Sequence, residues 1–493
     1  MTSWLTVLAI LTIAVPVLGG ALCALARDRR LVDALNRVTA LAGAGVATAL
    51  GVVALVRADD PAIGRVFVVD APAGVFLLVI AVVGLLSALV SPAHLRKHER
   101  SFFRADRARG WYYLALHAFW AALLAVPVLG NLGLAWLVVE ATTAASALLV
   151  AFSGKRSALE AGWKYLVLTT VGLTVALLGI VVLYAGSSPE EGRFALLDWG
   201  NLGEAAAAAP QTTALVAFAL ILVGLAAKIG WAPVHNWLPD AHSEAPPPVS
   251  ALLSAALLPT VMLVAWRVKT ALEPVVGEHA TRAVFLGFGL ASLAVAVPFL
   301  WRPLAWKRLL AYSSLEHMGV LALGIGFAHP LAVAGVLLHV CGHALAKSLG
   351  FYAAIPLLRE QPTAASRPPT GVARTSPATA GALGLSLGSL SGLPPSPLFF
   401  SEVFVLLGGI LAGQLEVAAA AAVLLALGFL GLAHALIEGL VGKARGRAAD
   451  AADARWTRRL SLGVGAGLVG LTAAAYFLPG SGIVDAITRW SGG

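Results

Sequence analysis

The chain has 493 residues, of which 59% are hydrophobic and 12% charged, with a formal net charge of +9. A soluble protein carries roughly a quarter charged residues, so a large soluble domain is excluded and a polytopic membrane protein is expected. The two cysteines, Cys23 and Cys341, lie far apart in apolar surroundings and form no iron–sulfur or zinc spacing, so no redox centre, cofactor or metal is expected.

Apolar segments of about 20 residues cross a bilayer as helices. In chain order they cover 3–25, 36–56, 70–90, 112–129, 131–152, 163–185, 212–232, 247–267, 281–300, 308–328, 331–357, 378–412 (broken), 417–441 and 460–478. The expected fold class is therefore an all-α membrane protein of about fourteen helices. The first run ends in Arg27, Arg29 and Arg30 and fits an uncleaved span.

Basic residues crowd alternate loops. One side carries Arg37, Arg96, Lys97, Arg100, Arg104, Arg107, Arg109, Lys155, Arg156 and Lys164 after the first span. It continues with Arg302, Lys307, Arg308, Arg359, Arg367, Arg374, Lys443, Arg445, Arg447, Arg455, Arg458 and Arg459. The other side has only Arg57, Arg65, Arg193, Arg267, Lys269, Arg282 and Arg489. The positive-inside rule makes the first side cytoplasmic and puts both termini outside. The basic excess is thus topological, the bilayer is its partner, and no nucleic acid is expected. The external loop 186–210, with Glu190, Glu191, Asp198 and Glu204, reads as a solvated cap.

Span 7 breaks at Gly230 and Pro233, and span 12 at Gly392, Pro394, Pro395 and Pro397, five spans later. Interrupted helices at corresponding positions of two halves point to a transport site. Spans 4–8 (within 111–268) and 9–13 (within 269–441) become two five-helix units. Five is odd, so the second runs inverted. Residues 1–110 hold spans 1–3, and 442–493 hold span 14 and a tail.

Ionisable residues inside spans are costly and usually retained for use. Lys228 ends the apolar run 213–229, and Glu140 sits near the centre of span 5. A neutral acid bonded to Thr142 or Thr143, or a purely structural Glu140–Lys228 pair, would explain them without transport. His339, His343 and Lys347 recur every fourth residue and stack on one helix face, about 6 Å per step. Histidine relays protons near neutral pH, and a lysine deprived of water yields its proton more readily. The rivals here are core packing and a metal site, the latter thin without a carboxylate on that face. Glu402 follows the second break, where a snorkelling carboxylate is the alternative. His434 and Glu438 fit local helix bonding, and Glu316-His317 a cap or loop contact. His235, Asp240, His242 and Glu244 fit either an access funnel or a stabilising loop network. Gly465 to Gly470 matches GxGxxG, but it lies in a membrane span with no preceding strand, so it is helix-packing surface.

Three stretches resemble the signature of antiporter-like subunits, the large membrane subunits of respiratory complex I, Mrp-type antiporters and membrane-bound hydrogenases. They are AKIGWAPVHNWLPDAHSEAPPPVSALL at 227–253, WKRLLAYSSLEHMG at 306–319 and HVCGHALAKSL at 339–349. The middle one is closest to the hydrogenase-4 and formate hydrogenlyase branch. The resemblance spans nearly the whole chain. It implies fourteen helices with inverted repeats, a Glu140–Lys228 pair that gates proton uptake, a central relay of His339, His343 and Lys347, and Glu402 as the terminal group.

The resemblance also implies other membrane and redox subunits as partners, protons or Na⁺ as the ion, and a bacterial or archaeal cytoplasmic membrane. Relatives place a lysine or histidine midway along span 8. Here that stretch offers only Ser250, Ser254 and Thr260, so the step beyond Lys228 must use hydroxyls and water or be interrupted. The chain ends soon after span 14, without the long lateral helix of one complex I subunit. Four functions stay open: a proton-translocating subunit of an oxidoreductase, an Mrp-type Na⁺(K⁺)/H⁺ antiporter subunit, a membrane subunit of an inorganic-carbon uptake complex, and a non-pumping scaffold.

Overall fold

The computed structural model describes residues 3–64, 66–96, 107–187, 194–359, 369–444 and 450–491. Arg65, Lys97, Arg100, Arg104, Glu190, Glu191, Arg193, Arg367, Arg445 and Arg447 lie outside the described residues.

Thirteen described helices are long and apolar enough to cross a membrane. Spans 1–7 are Ser3–Leu25, Arg29–Val56, Ala71–Leu95, Ala108–Val128, Leu132–Ser153, Arg156–Gly186 and Gln211–Ile229. Spans 8–11 are Pro247–Val276, Glu278–Leu300, Trp306–Phe327 and Pro330–Leu358, and spans 13 and 14 are Leu415–Val441 and Ala451–Phe477. Span 12 is the broken one, in two short helices, Pro377–Leu390 and Pro397–Leu411. The fourteen expected segments are all present.

The bounds differ where charge and hydrogen bonding part company. Spans 2, 6 and 14 start seven to nine residues before the apolar segment, at Arg29, Arg156 and Ala451. Hydropathy marks only the lipid-immersed length, whereas the helical ladder continues through charged residues. Asp28 fixes one such start by accepting from Leu31 N at 2.8 Å. Span 8 overruns at its other end: Arg267, expected at the very end of the span, and Lys269, expected beyond it, are buried within the helix. Arg267 bonds Asp70 at 2.8 Å and Lys269 bonds Glu273 at 2.5 Å, so each charge is paired rather than hydrated.

Spans 8 and 10 are buried along their length, while spans 13 and 14 expose most of theirs. The centre is thus helical on all sides. Lipid offers no hydrophobic drive between helices, so close approach depends on small residues. Span 6 lies against span 7 through Gly172, Ala176, Gly179 and Gly224, where an added Cβ would strike the facing backbone or an alanine. Span 11 lies against the second half of span 12 in the same way, with a Cβ on Gly335 only 2.9 Å from Ser401 O. Gly465 and Gly467 of the GxGxxG stretch face Leu385 and Leu345 from inside span 14, as packing surface.

Candidate proton-relay site

Span 7 ends because Gly230 takes a left-handed conformation (φ 79°) and donates to Ala226 O at 2.9 Å. The chain then folds back through two buried tryptophans. Trp231 Nε1 donates to Met318 O at 2.9 Å, and Trp237 Nε1 to Ala227 O at 2.7 Å. Lys228 is held in the last turn above this break, fully buried.

Lys228 Nζ donates to Thr143 Oγ1 and to Tyr165 OH, both at 2.7 Å, and sits 4.7 Å from the Tyr165 ring centroid. Tyr165 passes its own proton to Ser146 at 2.7 Å. Glu140 is near but separate: its Oε1 accepts from Thr170 Oγ1 at 2.7 Å, and its Oε2 has no partner. Among the described residues no ion pair joins Glu140 to Lys228. The expected carboxylate–lysine pair is here an open arrangement, with a hydroxyl on each group. Thr142 bonds Val139 O instead of the glutamate.

Lys347 anchors a second centre. Its Nζ donates to Leu310 O at 2.6 Å and to Ser313 Oγ. Leu310 O also accepts from Ser314 Oγ at 2.9 Å, and Ser314 Oγ meets Ser254 Oγ at 2.7 Å. Ser254 lies in a wide π turn, Leu252–Leu257, inside span 8. Its carbonyl faces His343 Nε2 at 3.4 Å. Of the span 8 hydroxyls, Ser254 thus reaches Lys347 only through the shared Leu310 carbonyl, while Ser250 bonds loop carbonyls and Thr260 Oγ1 is buried without a partner.

His317 joins His339 and His343, and the three rings place ligand atoms within 4.8 Å of one another. Ser401 Oγ gives its hydroxyl proton to Leu398 O at 2.7 Å, so it accepts from His339 Nδ1 at 2.8 Å. His339 Nε2 is then the acceptor for His317 Nδ1 at 3.0 Å. His317 Nε2 and His343 Nδ1 are left buried without partners. Three imidazoles suit Zn, Cu or Ni, but two of these rings are bonded to each other and no carboxylate belongs to the set. The arrangement is that of a hydrogen-bonded chain.

Glu402 follows Ser401 on the second half of span 12. Its carboxylate is half-buried against the break, where a Cβ on Gly392 (φ 71°) would lie 2.6 Å from Oε2. His434 and Glu438 are exposed and 3.8 Å apart. Asp240 pairs with Arg308 at 3.2 Å and Lys164 at 3.5 Å, and Glu244 accepts from Ser157 at 2.9 Å, so both belong to a loop network. His242 is buried between Trp237 and Phe351, outside the spans, with Nδ1 on Leu238 O at 2.8 Å. Burial pushes its imidazole down to about 3. His235 is lowered for the same reason. Asp198, in the external loop, accepts from Asn131 Nδ2 at 2.7 Å and is a bridge rather than a solvated cap.

The sequence reading missed Glu316, His317 and Ser401, and placed the first two in a cap or loop contact. All three are buried inside helices. Ser313, Ser314, Glu316 and His317 recur within one and a half turns of an apolar span, a polar density that lipid would not tolerate and that signals an internal site.

The family described as NADH:quinone oxidoreductase/Mrp antiporter, transmembrane, matches residues 130–428. The chain belongs to this family. Among its relatives is a hydrogenase-4 component F homolog of Methylacidiphilum infernorum, 32% identical over 355 residues, which cover 71% of this chain and 74% of that protein. NADH-quinone oxidoreductase subunit N of Desulforudis audaxviator is 30% identical over 72% of this chain and 68% of its own. The fold matches a chain of the archaeal membrane-bound sulfane sulfur reductase with TM-score 0.84 at 21% identity, covering 98% of this chain and 97% of that one. A chain of the Mrp complex from Dietzia matches with TM-score 0.80 at 21% identity, over 99% and 100%. The family match takes in both lysine centres and the second helix break.

Proposed function

We propose that this chain is a proton-translocating membrane subunit of a hydrogenase- or complex I-like redox assembly. One observation carries the reading: two lysines lie fully buried in a membrane protein, each held only by neutral groups, with serine hydroxyls and three imidazoles gathered near the second. A buried ammonium without a counter-charge is expensive unless its proton can leave.

Glu140 is the switch. When its carboxylate turns from Thr170 to Lys228, the charged lysine gains a counter-ion; when it turns back, the lysine keeps only Thr143 and Tyr165. The proton then moves toward Lys347 by way of span 8 hydroxyls and water. His339, His343 and Lys347 form the central relay, and Glu402 is the terminal group at the second break. The two breaks, each with a left-handed glycine and a preceding span packed through small residues, support inverted five-helix units over 111–268 and 269–441. In this reading residues 1–110 and 442–493 flank the units and both termini face outward. Other membrane and redox subunits deliver the energy in a bacterial or archaeal cytoplasmic membrane.

The relatives' names favour a redox assembly over a stand-alone antiporter. The test uses the intact assembly in sealed vesicles with a pH-sensitive dye. Lys228→Ala and Lys347→Ala should each abolish redox-driven proton movement while the complex remains assembled. Sodium-driven proton uptake without a redox substrate would instead favour the Mrp-type function, and unchanged pumping in both variants would leave a scaffold.

A further inference from the structure

Glu316 is 3% exposed, in the middle of span 10 beside His317. Its Oε2 is buried and accepts no hydrogen bond from any described residue. Its Oε1 occupies a space that Gly428 of span 13 leaves open, since a Cβ there would overlap the carboxylate. A buried carboxylate without donors is unfavourable when ionised, and a native structure that keeps one needs a reason. Two ionisable groups bracket it through bonded neighbours: Lys347 donates to Ser313, one turn earlier on the same span, and Glu402 follows Ser401, which accepts from His339, the partner of the adjacent His317. Around Lys347 the Leu310 carbonyl, Ser314 and Ser254 lead toward His343, and a separate chain runs from His317 through His339 to Ser401. In that network Glu402 receives no hydrogen bond, so the terminal acid lacks a donor.

We propose that Glu316 is the proton carrier that connects Lys347 to Glu402. In the first step an N–H bond of the Lys347 ammonium breaks and an O–H bond forms on the Glu316 carboxylate, leaving both groups neutral. In the second step that O–H bond breaks as one forms on the Glu402 carboxylate, and Glu316 is again an anion. No electrons move, no co-reactant is consumed, and total charge is conserved at each step. Gly428 admits the carboxylate at the boundary between the buried centre and the outer span 13.

The inference rests on the proton-translocation reading, and the variants separate the two. In the assembled complex in vesicles, Glu316→Gln should cut redox-driven pumping on the order of a hundredfold, with assembly on native gels unchanged. The infrared spectrum of the wild type should show a buried carboxylic-acid C=O band that the variant lacks. Glu316→Asp, which keeps the acid but shortens its reach, should pump more slowly with a displaced pH profile. Wild-type pumping in Glu316→Gln, with Lys228→Ala and Lys347→Ala inactive, overturns the carrier and leaves the reading standing. If Lys228→Ala and Lys347→Ala pump as well, the reading itself fails. Should Glu316→Gln fail to assemble, an unchanged rate and pH profile in Glu316→Asp overturns the carrier.

Discussion

The two lysine centres solve the same problem with different anchors. Lys228 sits in the last turn of a helix, where the C-terminal dipole favours a cation, and is held by two side-chain hydroxyls. Lys347 lies in mid-helix without that help, and is tied to a main-chain carbonyl as well as to Ser313. Rotamers can release the first pair of contacts. The carbonyl of Leu310 is fixed in its helix, so only the Lys347 side chain can break that contact. In the proposed function, the comparison separates a centre that switches from one that passes a proton on.

Replacing both lysines by methionine breaks the comparison at its root. Each single variant should lose proton movement by on the order of a hundredfold or more in vesicle assays. His339→Phe comes next: it removes the link between His317 and Ser401, and should slow pumping by roughly tenfold to a hundredfold while leaving Lys228 untouched. Tyr165→Phe acts on the switching centre. It removes an acceptor from Lys228 and leaves Ser146 without its donor, for about 1–3 kcal/mol of stability, read as a lower melting temperature of the purified assembly. Thr170→Val frees Glu140 Oε1 at about 1 kcal/mol, and should shift the pumping rate more than the melting temperature.

The last effect is on pH, and it vanishes near neutrality. His242 stays neutral in the fold down to about 3, against 6.5 for an unperturbed imidazole. The unfolded chain binds that proton first, so acid favours unfolding. Its contribution is constant above 6.5 and declines as pH falls below it, by about 1.4 kcal/mol per unit. Melting temperatures of the wild type and His242→Gln measured between pH 5 and 8 should diverge only at the acid end (roughly the range where histidine charges).

Much of the fold was legible because lipid demands long apolar helices, and the glycine and proline clusters at 230–233 and 392–397 marked the breaks. The six candidate site residues were legible as charges or imidazoles in apolar runs. Span 8 was ended at Arg267, with Lys269 beyond it, because pairing with Asp70 and Glu273 lets charges enter a span, and the Asp70 partner, almost 200 positions from Arg267, leaves no local trace. Glu316-His317 was misread because adjacency to a span's first half resembles a cap, whereas neighbouring spans 11 and 13 decide its burial. The distance between Glu140 and Lys228 belongs to side-chain torsions, which no residue spacing encodes.

The glycine seam between spans 6 and 7 has a mechanical corollary. With Gly172, Gly179 and Gly224 leaving no room for a Cβ across it, the two helices are held at close approach. In the proposed function, traffic at Lys228 is therefore timed by torsions of Glu140 and its threonine rather than by helix displacement. Such a gate runs on a side-chain clock, far faster than the microsecond-to-millisecond domain movements by which rocking transporters alternate.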